Sequence, residues 1–152
     1  MSAATGHHFA RPGNRFWPAL HRAGFTPREL RPAEQRLLLD YGCGITNLVN
    51  RPSAAADELA PAEFVAGRRR LAAKVRRYEP AIVAFLGVGA FSHAFALKSV
   101  RVGRQAESFE GAEVWVLPNP SGLNANYPLH ELVVLFRQLW QRSSKSRSGA
   151  RS

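Results

Sequence analysis

The run Ala81-Ile82-Val83-Ala84-Phe85-Leu86 limits the fold more than any other stretch of the chain. It is apolar throughout, it follows Pro80, and it stops at Gly87. A short run without polar alternation is the pattern of a strand covered on both faces, as in a parallel sheet. Val114-Trp115-Val116-Leu117 reads the same way, and Ile45-Thr46-Asn47-Leu48-Val49 reads as a further strand. A sheet of such strands needs helices on both of its faces.

The stretches between the strands supply them. Asn14 is a good N-cap, and Phe16, Trp17 and Leu20 form one face of a short helix that Gly24 ends. Thr26-Pro27-Arg28-Glu29 has the form of a capping box and predicts a helical turn. Pro32 starts a second short helix through Leu37–Asp40, broken by Gly42-Cys43-Gly44. Residues 61–78 hold the longest helical pattern, with Phe64, Leu71, Val75 and Tyr78 on one face. A helix follows Gly87 and Gly89 over Ala90–Leu97. Residues 98–112 read as irregular, with a turn at Glu110-Gly111. The last helix starts near Pro128 and presents Leu129, Leu132, Val133, Phe136 and Trp140. Residues 142–152, RSSKSRSGARS, are basic and of low complexity, and read as a disordered tail. The expected architecture is α/β, a three-layer αβα arrangement on a short parallel sheet. Ligands of such sheets bind beyond the carboxyl ends of the strands. The segment 118–124 and the stretch after Val49 both leave such an end.

The charge points to a polyanion. Lys and Arg number 21 against 11 Asp and Glu, a formal net charge of +10, and the pI is about 11.2. Such a field favours nucleic acid first and an anionic membrane surface second. The run Arg68, Arg69, Arg70, Lys74, Arg76 and Arg77 contributes to it, and also reads as a solvated helix face. The single cysteine, Cys43, excludes an internal disulfide and a Cys-based metal site. The longest apolar stretch is too short to span a membrane, and the chain reads as cytoplasmic. No phosphate-binding glycine loop and no HExxH are present. His7, His8, His21, His93 and His130 have no metal-ligand spacing, so no metal is expected.

Two polar stretches remain: GHHF near the amino terminus and PNPSGLN after the strand 114–117. The second reads either as an ordinary strand-to-helix turn or as a rigid loop tipped by Leu123. An enzyme that works on a base in duplex DNA must rotate it out of the stack, and an apolar side chain then fills the gap. Leu123 suits that wedge, and Phe9 suits the aromatic face on which an extruded base lies.

GHHFARPGNRFW, DYGCGITNLVNRP, the FLG strand and VLPNPSGLN follow one another as in the mismatch-specific uracil-DNA glycosylases. The chain resembles that family, the bacterial Mug enzymes and the related thymine-DNA glycosylases, over residues 1–141. The resemblance implies a four-stranded parallel sheet between helices. It implies a cofactor-free hydrolysis of the N-glycosidic bond of uracil, thymine or a damaged pyrimidine opposite guanine, in base-excision repair. The partner would be double-stranded DNA with a G·U or G·T mismatch, bound by a monomer. By the same resemblance Phe9 stacks on the flipped base, His7 and His8 flank it, and Asn119 approaches the base or sugar. Pro120, Ser121, Gly122, Leu123 and Asn124 would form the intercalating loop.

One family motif has no counterpart. In the family an asparagine within Gly-Ile-Asn-Pro-Gly holds the attacking water, at the end of a strand that lies inside the sheet. That motif would precede Met1, so the resemblance implies no water-positioning residue in this chain, a missing interior strand and impaired activity. Either the protein begins upstream of Met1 or the chain is a shortened relative. The alternative function is a non-catalytic, basic DNA-binding remnant.

Overall fold

The computed structural model describes residues 9, 13–46, 48, 61–122, 124 and 126–151. Helix α1 spans Phe16–Ala23, and a 3-10 helix spans Pro32–Tyr41. Helix α2 covers Pro61–Tyr78, strand β1 Ile82–Leu86 and helix α3 Val88–Phe95. Strand β2 is the short pair Gly103–Arg104, β3 is Glu113–Leu117, and α4 is Leu129–Arg151. The sheet order is β1-β3-β2. β1 runs parallel to β3 with Ile82 opposite Glu113 and Leu86 opposite Leu117.

β3 shows why the fold has three layers. Successive side chains of a strand point to opposite faces. Trp115 and Leu117 join Phe16, Leu20, Leu132 and Phe136 in a cluster under α1 and α4. Val114 and Val116 join Phe85 and Phe91 in a second cluster, on which Leu71 of α2 also packs. Helices therefore cover both faces, as the αβα reading expects. Each large apolar side chain buried this way contributes about 1.5–3 kcal/mol.

The sheet itself departs from expectation. It is mixed, because β2 runs antiparallel to β3 within the stretch expected to be irregular. An ion pair fastens it: the Glu113 carboxylate lies 2.9 Å from Arg104 Nε of β2 and 3.0 Å from Arg142 Nε of α4. β1 is not buried on both faces. Phe85 is buried, but Ala84 is exposed, and Ile82, Val83 and Leu86 are half-covered. Within the expected strand Ile45–Val49, Ile45 and Thr46 are irregular, while Asn47 and Val49 lie outside the described residues. A strand exists only where a ladder partner satisfies its backbone, and the described residues Ile45 and Leu48 are held through their side chains. Ile45 packs on the first cluster and Leu48 on the second.

Smaller differences have local causes. Thr26 caps no helix, because its hydroxyl donates to the Arg28 carbonyl at 2.8 Å and closes a turn. The capping interaction forms further on, where Glu34 Oε1 accepts the Arg31 N–H at 2.9 Å, just before Pro32 opens the 3-10 helix. Helix α3 begins at Val88, earlier than expected. Helix α4 runs from Leu129 to Arg151.

Two predictions arise here. Glu34 also pairs with Arg28 at 2.7 Å. The Arg28 hydrogen bond, with the Arg31 N–H, lowers its carboxyl from 4.5 to about 2. A lowered folded value means that the stabilisation is complete above the ordinary carboxylate range and is lost as pH falls toward about 2. Melting of wild type and Glu34→Gln should therefore differ at neutral pH and converge by about pH 2. Gly67 of α2 lies backbone to backbone with Leu48: a Cβ there would stand 1.9 Å from the Leu48 carbonyl oxygen. Gly67→Ala is expected to destabilise by about 1–3 kcal/mol despite alanine's better helix propensity. A raised melting temperature would contradict that contact.

Candidate functional site

β1 and β3 are parallel, so Leu86 and Leu117 end at one edge of the sheet. The Leu117 carbonyl accepts the Gly87 N–H at 2.8 Å, which ties the two ends together. The chain leaves β3 through Pro118 and Pro120, both fully buried, with exposed Asn119 between them. Proline fixes φ, so the loop emerges in a set direction from the core.

The loop then braces itself. Asn119 Oδ1 accepts the Ser121 N–H at 3.0 Å, a side-chain turn typical of asparagine. The Ser121 carbonyl accepts the Asn124 N–H at 3.1 Å. Asn124 Nδ2 donates to the Asn119 carbonyl at 3.1 Å, and its Oδ1 accepts the Asn126 N–H at 3.2 Å.

Gly13 and Arg15 meet this loop. A Cβ on Gly122 would lie 2.6 Å from the Gly13 carbonyl oxygen, so only glycine permits the approach. Arg15 follows. Its backbone N–H donates to the Pro120 carbonyl at 2.9 Å. Its guanidinium donates to the carbonyls of Pro120 (3.3 Å), Ser121 (2.7 Å), Asn124 (3.3 Å) and Tyr127.

The next residue, Phe16, carries Phe9. The rings are stacked with centroids 4.3 Å apart and planes 27° from parallel. Phe16 is itself wedged edge-on against Trp17 and Phe136. Phe9 has φ of 55°, a left-handed value that bulky residues rarely adopt. Residues held in this way concentrate at functional sites. Phe9 also lines a cleft of about 240 Å³ with Asn14, Trp17, Glu29, Arg31 and Pro32.

The pattern of the uracil DNA glycosylase superfamily matches residues 1–142. The chain belongs to the uracil DNA glycosylase superfamily. Membership carries DNA glycosylase activity in general, the hydrolytic release of a base from DNA. The matched span takes in both stretches that meet at the strand ends.

In this glycosylase-superfamily chain the expected site residues divide. Phe9 and the loop residues Asn119, Pro120, Ser121, Gly122 and Asn124 are brought to one region through Arg15 and Phe16. His7, His8 and Leu123 lie outside the described residues. Pro120 is an internal anchor, not a surface residue of the loop. Asn119 is exposed, with its side-chain oxygen engaged in shaping the turn. Gly13, Arg15 and Phe16 carry no signal of a site role in the sequence, although the stretch GNRFW contains all three. Among the described residues no helix is long and apolar enough to cross a membrane. Nor do any three His, Cys, Asp or Glu cluster there as metal ligands.

Proposed function

We propose that this superfamily member is a mismatch-directed glycosylase that removes uracil, thymine or a damaged pyrimidine opposite guanine in double-stranded DNA, working as a monomer. The observation that carries this reading is the close approach of Gly13 to Gly122. Together with the stack of Phe9 on Phe16 beside Arg15, it brings an aromatic ring and a braced Pro-Gly loop to the carboxyl ends of β1 and β3.

The chemistry follows from that pairing. The basic surface holds phosphates, with an affinity that falls as salt rises. A G·U pair opens at lower cost than a normal pair. The loop that Pro120 anchors fills the vacated stack with Leu123 as its wedge, while Phe9 receives the base against the rigid backing of Phe16. His7 and His8 flank the base, and Asn119 meets it or its sugar. As the C1′–N1 bond breaks, negative charge grows on the base, and aimed N–H groups stabilise it. The sequence contains no Gly-Ile-Asn-Pro-Gly run to aim the water, so slow turnover by residues 1–152 is part of the proposal.

The test is uracil release from matched duplexes that differ only at one pair. Release, or saturable binding, stronger with G·U than with G·C supports the reading. Equal affinity for both duplexes and no base release would leave a non-specific DNA-binding protein and refute it.

A further inference from the structure

We propose that Arg15 is the positioning residue that sets the wedge loop against the base platform; this rests on the glycosylase reading above. Arg15 belongs to neither stretch expected to touch DNA. Its guanidinium nevertheless reaches the carbonyls of Pro120, Ser121, Asn124 and Tyr127, more than a hundred residues away in sequence. Guanidinium offers several donors in one rigid plane, which suits it to hold several acceptors together. Bonds from a charged donor are stronger than neutral ones. These four carbonyls run from the buried anchor Pro120 to Tyr127 at the approach to α4, so one side chain ties Pro120, Ser121, Asn124 and Tyr127 together.

The other half of the device is covalent. Phe16, the next residue, stacks on Phe9 at 4.3 Å. It is held in turn by Trp17 and Phe136. The start of α1 is therefore a joint: its first ring carries the platform, and the preceding side chain carries the wedge. Asn14 Oδ1 accepts the Phe16 N–H at 2.9 Å and stiffens that joint. Flipping needs the wedge and the platform at a fixed separation, because one enters the stack as the other receives the base. Loss of the Arg15 fork frees the loop while leaving the platform in place.

The test compares full-length wild type, Arg15→Gln and Arg15→Lys. Hydrogen exchange in the free protein reads the loop, and 2-aminopurine fluorescence next to the uracil of a G·U duplex reads unstacking. Loop amides in 119–127 should exchange about tenfold faster or more in Arg15→Gln, while those of β3 stay unchanged. Arg15→Lys should fall between, since an ammonium is a point charge and not a fork. The fluorescence rise seen with wild type should fall by more than half in Arg15→Gln, with affinity for a matched duplex retained. Wild-type exchange in a folded Arg15→Gln overturns the proposal. So does wild-type exchange in Arg15→Lys, which is decisive should Arg15→Gln fail to fold. Faster exchange with undiminished unstacking also overturns it. A wild type that does not distinguish G·U from G·C refutes the glycosylase reading, and the exchange measurement then decides the role of Arg15 in the loop separately.

Discussion

Phe136→Ala is expected to cost about 3–5 kcal/mol of folding stability. Phe136 is 1% exposed and lies in the cluster that joins α1, α4 and β3. Its ring meets Phe16 edge-on at 6.1 Å. Truncation removes the transfer energy of the ring and leaves a cavity that neighbouring helices fill only in part. A domain of this size has only about 5–15 kcal/mol to lose. Urea unfolding should show a lower midpoint with an unchanged slope, because the surface exposed on unfolding is nearly the same. Phe136→Leu keeps most of the volume and should cost less than half as much. A loss below about 1 kcal/mol for Phe136→Ala would mean that the two helices do not share this core. The substitution also reaches the site. Phe16 loses its backing, and Phe9 rests on Phe16, so the variant is also expected to loosen Phe9.

The layering was legible because it rests on side-chain pattern alone. β3 and the start of α4 stand close to where the apolar spacing places them, and α1 ends at Gly24 as expected. What escaped depends on partners. Ile45 and Thr46 have the composition of a strand and are irregular, because strand formation belongs to a pair of segments and not to one. β2 escaped for the converse reason: Gly103–Arg104 is too short to show a period, and it pairs through its backbone and the bond from Arg104 to Glu113. The run at 81–86 is uniformly apolar, which is the pattern of a strand covered on both faces. Ala84 shows that a small apolar residue can stand exposed in such a run without cost.

The candidate site was legible by residue type and opaque in its supports. Phe9 and the Pro-Gly loop stand out because aromatic platforms and rigid turns have recognisable residues. Arg15 does not, since in a chain with 21 Lys and Arg it reads as one more unit of basic field. Its role depends on four carbonyls that converge only when residue 15 meets residues 120–127. Asn119 has a supporting role that its residue type does not announce: its side-chain oxygen accepts the Ser121 N–H and shapes the turn there.

Phe9→Ala is expected to remove discrimination between G·U and matched duplexes while leaving general DNA binding intact. Stacking of a base on an aromatic ring is worth about 1–3 kcal/mol. That stacking is available only to an extruded base, so its loss falls wholly on the flipped state. The expected result is a drop of about tenfold or more in the preference for G·U over G·C. Phosphate contacts are made with either duplex and do not involve Phe9. Affinity for the matched duplex, and the slope of that affinity against salt, should therefore match wild type. Phe9→Trp should keep the preference if the aromatic face alone matters, because every aromatic ring offers a surface for the base. Melting of the free protein separates this from a folding defect: Phe9 is only half-buried, so its removal should cost far less stability than Phe136→Ala. A folded Phe9→Ala that still prefers G·U as wild type does would place the base elsewhere than on Phe9. A variant that loses affinity for both duplexes equally would make Phe9 part of the general DNA-binding surface.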